Sequence, residues 1–265
     1  MRALPLLAVA LTTWTACGVN QTPEAEPPPQ LPTCVPNRDG AIVADELPVP
    51  LGLVTAYYEN TGARVNLAGV NGIWDFSTES AADQVAELGP EAIGGQWYAG
   101  KFPASQFVVA AGAGLAGVYH QDAQALWLDG TVSIAESPKT LVRYADPVPL
   151  LRFPVGDGDA YETVAQIPDG VVSNLPFVGT DRFEVEVAGS GRVDVPYVRF
   201  SPALRVRTRV VRTPSSGSPV VARRTTIFLF ECFGEVVHAE SEIDEPDADF
   251  TQAAYLRRFA LGAKP

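Results

Sequence analysis

The sequence predicts a mainly β fold: an antiparallel sheet, sandwich-like or half-barrel-like, closed by a short C-terminal helix. Three observations carry that expectation. Glycine and proline number 23 each among 265 residues and are scattered evenly, which leaves little room for long helices. The runs between them are short and rich in Val, Phe, Tyr and Thr, residues that suit a pleated surface. Apolar and polar residues alternate with period two: Phe183, Val185 and Val187 point one way, Glu184 and Glu186 the other.

Along the chain, strands are expected in residues 51–58, 125–134, 140–145, 181–198, 203–212 and 224–241. Asp129-Gly130 between two apolar runs predicts a hairpin turn, and Gly189-Ser190-Gly191 and 214–219 predict further turns. In 204–209, Leu204 and Val206 face inward while Arg205, Arg207 and Arg209 line the other face. That row reads as an anion site or as a solvated face paired with Glu184, Glu186 and Asp194; cross-strand charge pairing favours the second. Two stretches read as helical. Residues 80–88 carry a capping-box pattern (Ser80, Asp83) and stop at Gly89-Pro90. Residues 249–262 have Asp249 as cap, Arg257 and Arg258 near the negative end, Gly262 beyond, and Leu256, Phe259 and Ala260 as a buried stripe.

Ahead of these strands, Met1-Arg2 is followed by about a dozen mostly apolar residues. This is the pattern of a secretory signal over residues 1–16, too short for a permanent bilayer span. Thr15 and Ala16 precede Cys17. The arrangement resembles the lipobox of bacterial lipoproteins, with Trp14 standing where that family usually has leucine. The resemblance implies that Cys17 receives a diacylglyceryl group and becomes the new N-terminus, the alternatives being an ordinary cleaved signal or a buried strand. Gly18 after the cysteine resembles the sorting pattern for the outer membrane. Residues 17–33, with five prolines and few bulky apolar side chains, read as lipid anchor and extended tether. Residues 34–265 contain no evident linker and read as a single β-rich domain.

Only Cys34 and Cys232 remain once Cys17 is set aside. In an exported chain the pair points to a disulfide, the alternative being two free thiols.

The chain carries a formal net charge of −12, and removing the signal takes away only Arg2, giving −12 − 1 = −13. Lysine occurs only at 101, 139 and 264. An acidic chain without a basic stripe excludes nucleic acid as a natural partner. His120 and His238 are the only histidines, and neither Gly-x-Ser-x-Gly nor His-Glu-x-x-His is present, so no catalytic or metal residue is assigned. Six carboxylates crowd residues 240–249, and Asp157 and Asp159 flank a Gly. Carboxylates can hold calcium or hydrolyse glycosides, yet a connector and a turn explain these better. No cofactor is expected.

Residues 71–77 (NGIWDFS), 144–159 (YADPVPLLRFPVGDGD) and 191–208 (GRVDVPYVRFSPALRVRT) are similar to a diffuse group of β-rich exported bacterial proteins without an agreed activity. The likeness covers roughly residues 50–240 and implies a fold and a compartment rather than a reaction. Its matching region is extended over 80–88. The function expected is a lipid-anchored envelope protein, a non-catalytic binding or structural module with an envelope or extracellular ligand. Two rivals are a carboxylate-dependent glycan hydrolase and a lipid carrier with an open apolar sheet face. A carrier requires a lined hollow, and a hydrolase requires two carboxylates facing each other across a cleft.

Overall fold

The computed structural model describes residues 34–262. Residues 1–33, on which the expected signal, lipid anchor at Cys17 and tether fall, and residues 263–265 lie outside the described residues. The early strands are β1 (Ala41–Ile42), β2 (Thr55–Arg64), β3 (Ile73–Asp75), β4 (Gln84–Leu88) and β5 (Glu91–Ala92). Next come β6 (Phe107–Gly112), β7 (Leu115–Gln121), β8 (Ala125–Ser133), β9 (Leu141–Arg152) and β10 (Val155–Gly156). The long strands β11 (Ala160–Val172), β12 (Leu175–Val195) and β13 (Val198–Pro214) follow, then β14 (Val221–Phe230), β15 (Gly234–Glu240) and β16 (Gln252–Phe259). The fold is mainly β, and helix among the described residues is limited to two short 3₁₀ turns, Ala44–Glu46 and Ala99–Lys101.

Fourteen strands form one sheet, ordered β4-β2-β16-β15-β14-β13-β12-β11-β9-β8-β7-β6-β5, with β3 added in parallel to β12 and every other pairing antiparallel. Its two edge strands, β4 and β5, are consecutive in the chain, joined only by Gly89-Pro90. The sheet therefore curls until its edges come within one short link of each other, although β4 and β5 do not pair and no closed barrel results. Gly89 is required at that link, because a Cβ there would overlap the Leu53 carbonyl oxygen.

Both expected helices are strands. Residues 84–88 pair with β2, Tyr57 opposite Ala86. The segment's Gln, Ala, Glu and Leu are good helix formers, but intrinsic propensity is small beside tertiary context, and satisfying the open edge of β2 outweighs it. Residues 252–259 run between β15 and β2. The Asp249 carboxylate, expected as a helix cap, instead receives Arg205 and Arg207. Arg257 and Arg258, expected together at a helix end, sit on opposite faces of β16. A central strand covered on both faces loses the alternation that marks a half-exposed one, which is why its sequence mimics a helix.

Two expected turns are bulges. Asp129 lies inside β8, where the register against β7 and β9 shifts, and Gly130 is held against the Val142 carbonyl and the Phe102 ring. Gly189–Gly191 lies inside β12 between two register shifts, its Gly191 pressed on Gly72 and the Trp74 ring. Instead of reversing the chain, glycine at both places serves close approach of a second backbone. The segment 214–219 does connect β13 to β14. The β11–β12 hairpin turns at Ser173-Asn174, both with positive φ (50° and 68°), as a two-residue hairpin of this twist demands.

On the convex side, Trp74, Phe76, Phe228, Phe250 and Leu256 form one core, with Trp74 and Phe76 both against Phe228. The motifs 71–77 and 191–208 meet there, since β3 pairs with Arg192–Asp194. The arginine row also lies on this side. Arg209 pairs with Glu184, Arg207 with Glu186 and Asp249, and Arg205 donates to the carbonyls of Ala188 and Leu67. The row is thus a paired sheet face, as cross-strand charge matching predicts; Asp194 is taken by Arg192 and Arg199 instead. On the concave side Leu151 of β9 belongs with Val185, Val206 and Leu229 to a second buried apolar cluster. Cys34 and Cys232 form the expected disulfide, with Cα atoms 5.5 Å apart. It ties the start of the described chain to the β14–β15 turn.

Candidate functional site: a hollow with a buried charge cluster

A curled sheet of thirteen consecutive strands is too wide for side chains to fill, since about eight strands already give an interior that side chains just pack. The concave side accordingly keeps a hollow with two connected chambers. The outer one, of about 580 Å³, is walled by Leu47, Phe107, Leu126, Leu151, Ile227, Leu229 and Phe259 among others. The inner one, of about 360 Å³, continues past Leu128, Phe183 and Val206 to Tyr119, Tyr144 and Thr208. Glu235, Arg257, Phe107, Val109, Leu126, Leu151 and Ile227 line both. Period two on β13 and β14 explains the wall: Leu204, Val206 and Thr208, and Thr225, Ile227 and Leu229, all point inward.

The polar groups of the hollow converge from β15, β16 and β2. His238 and Glu240 share a face of β15 by the two-residue period, and the bulge between Phe228 and Leu229 turns Glu235 onto the same face. His238 Nδ1 lies 3.1 Å from Glu235 Oε2, and its Nε2 lies 3.2 Å from Glu240 Oε1. Arg257 Nη2 donates to Glu235, and Nη1 reaches across the hollow to the Ala110 carbonyl of β6 at 3.0 Å. The Tyr57 hydroxyl donates to the Glu235 carbonyl at 3.3 Å, the Tyr255 hydroxyl donates to Glu59, and Arg223 holds Glu240 at 3.0 Å. The buried Arg257 Nε has no protein partner.

Burial alone would lower the His238 pKa, but the charge and hydrogen bond of Glu235, joined by Glu240, raise it to about 9. Burial would likewise raise Glu235, yet the Arg257 guanidinium and the His238 imidazolium hold it at about 2. Glu240 is lowered against the desolvating effect of its burial by His238 and Arg223. The cluster is therefore charged and internally matched at neutral pH. Glycoside hydrolysis needs one carboxyl whose pKa is raised so that it can act as an acid. Glu235 and Glu240 are shifted the opposite way. Deeper in, Asp181 is fully buried, accepts Arg212 Nε at 2.8 Å, and takes the Tyr144 hydroxyl at 2.8 Å.

Of the residues singled out in the sequence, His238 and Glu240 belong to the hollow and the others fall elsewhere. His120 stacks on Trp127 and sits 2.9 Å from Asp129, a satisfied side chain outside both chambers. The carboxylates of 240–249 are dispersed: Glu240 belongs to the hollow, Asp244 accepts the Ala222 amide at 2.8 Å, and Glu245 caps the Asp247 amide. Asp159 closes its own turn on the Gly156 amide. Among the described residues no group of His, Cys, Asp and Glu could hold a metal ion, and no helix is long and apolar enough to cross a membrane. The Glu235–His238–Arg257 cluster was not singled out from sequence. Its signal was present as Glu235-Val-Val-His238-Ala-Glu240, charged residues embedded in an otherwise apolar stretch.

No family model, curated protein or solved structure matches the chain.

Proposed function

We propose that this chain is a lipid-anchored envelope protein, held at the outer membrane through Cys17, whose half-barrel-like domain binds an amphiphilic molecule without transforming it. The observation that carries this reading is the hollow: an apolar wall with one confined, charge-matched polar cluster. Concave sites for small ligands have these proportions, mostly apolar lining with a few placed polar groups and volumes of about 300–1,000 Å³. The apolar part of the ligand lies along Leu126, Leu151, Ile227 and Leu229. Its polar part meets Arg257 and the Glu235–His238 pair. The apolar run ending on Cys17 and the disulfide, which belongs to oxidising compartments, support export and anchoring. The hydrolase alternative finds no support at Glu235 and Glu240, whose ionised carboxylates lack the acid role.

Two experiments test the proposal. Titrating the purified chain with cis-parinaric acid gives saturable fluorescence, and Ile227→Trp, which fills the hollow, weakens that binding by at least about tenfold. Absence of saturable binding, or equal binding by the filled variant, refutes the carrier reading. Cys17→Ser releases the protein from the membrane pellet after a carbonate wash, and retention in the pellet refutes the anchor.

A further inference from the structure

The outer chamber opens at one end of the curled sheet, and the residues around that opening are apolar and exposed. Leu53, Val54, Phe233 and Leu261 all line the chamber, yet they expose 42%, 53%, 51% and 58% of their surface, and Leu51 beside them exposes 54%. They come from three separated segments, 51–54, the β14–β15 turn and the C-terminal end of β16. Other exposed apolar residues, such as Val35, Val70 and Tyr197, do not line either chamber. Contiguous apolar surface around the mouth of an apolar hollow marks an interaction site.

The rim is also uncharged in a particular sense. Residues 47–57, 231–234 and 259–262 contain no lysine or arginine, and the nearest exposed charges on β4 and β5 are Glu87 and Glu91. Such a surface is matched to an electrically neutral apolar partner and repels an anionic one. The Cys34–Cys232 disulfide places the start of the described chain directly beside Phe233. Cys17 lies 34 − 17 = 17 residues upstream along a proline-rich stretch, which at about 3.6 Å per residue can span at most about 60 Å.

From the exposed rim, the lack of lysine and arginine in residues 47–57, 231–234 and 259–262, and the start of the described chain beside it, we propose that the mouth of the hollow docks on a lipid bilayer, with Leu53, Val54, Phe233 and Leu261 inserted into the interfacial region. This rests on the reading of the hollow as an amphiphile site and adds where the amphiphile enters: laterally from the bilayer, without crossing water. Binding is driven by apolar burial rather than by charge, so it survives high salt.

The test uses the full chain with Cys17→Ser, so that no acyl group contributes, and flotation with phosphatidylcholine vesicles. The chain floats with these vesicles, at low and high salt alike, and floats less with vesicles rich in phosphatidylglycerol at low salt. Adding Leu53→Ser, Val54→Ser and Leu261→Ser weakens partitioning by at least about tenfold, because each lost residue removes apolar area. A separate Phe233→Trp reporter shifts its emission to the blue on vesicle addition and is quenched by bilayer-embedded bromolipid, whereas Tyr197→Trp, at the exposed β12–β13 turn, does neither. Equal flotation with and without the serine substitutions, no flotation at all, or an unshifted Phe233→Trp spectrum overturns the proposal. Self-association of the parent that the serine substitutions abolish, without vesicle binding, assigns the rim to a second copy and overturns it as well. Parinaric acid binding by the parent keeps the two claims apart: if the parent binds the probe but does not float, only the docking claim fails, and if it floats but binds no probe, only the ligand reading fails.

Discussion

Replacing His238 by glutamine separates a charged cluster from one that is merely hydrogen-bonded. In the fold the imidazole has a pKa of about 9, against the ordinary 6.5 of an unfolded chain, because the stabilising fields of Glu235 and Glu240 outweigh its desolvation. The difference, 9 − 6.5, is about 2.5, and at about 1.36 kcal/mol per pH unit it corresponds to about 3 kcal/mol. Since the folded pKa is the higher one, the stabilisation is complete below pH 6.5, decreases as the pH rises between 6.5 and 9, and is absent above about 9. The low pKa of Glu235 expresses the same ion pairs from the other side and is not added to this figure. Glutamine keeps a donor and an acceptor of similar reach but never carries the charge. Denaturant unfolding of both proteins, with the disulfide intact, at pH 6, 8 and 10 therefore gives a stability difference that starts near 3 kcal/mol and shrinks towards zero. Taking the difference cancels the titration of Tyr57 and Tyr119, both pushed up to about 12 by burial. A wild-type minus variant difference that stays constant from pH 6 to 10 would refute the charged-cluster reasoning.

Asp181→Asn removes the charge facing Arg212 and disrupts the acceptor of Tyr144, costing about 3 kcal/mol in denaturant unfolding; pairing it with Arg212→Met restores part of that loss, and simple additivity would show the groups to be independent. Cys232→Ser opens a loop of 198 residues and lowers stability by up to about 5 kcal/mol by chain entropy, while the wild-type chain resists alkylation at both cysteines until reduced. Gly89→Ala forces a methyl group onto the Leu53 carbonyl and costs about 1–3 kcal/mol, read as a lower Tm; an unchanged Tm would mean that the link between β4 and β5 relaxes freely.

What the sequence by itself determined is what local chemistry controls. Alternation assigned Phe183, Val185 and Val187 to the core and set Glu184 and Glu186 against the arginines of β13, because a strand's faces follow from period two alone. The two cysteines left after Cys17 identified their own bond. Tertiary structure decided the rest. Residues 84–88 and 252–259 look helical in isolation, and they are strands because β2 and β15 offer unpaired backbone that only a further strand satisfies. Asp129-Gly130 and Gly189–Gly191 are bulges rather than turns because a second chain segment passes close by, which no local pattern records. The hollow depends on the number of strands and on a curl that brings β4 beside β5. Its charge cluster joins Glu235 and His238 to Arg257, some twenty residues on, and through Arg257 to Ala110 on the far wall. Each of those residues is legible as a buried charge in an apolar stretch, but their meeting is a consequence of non-local pairing, and only the folded sheet brings them into one site.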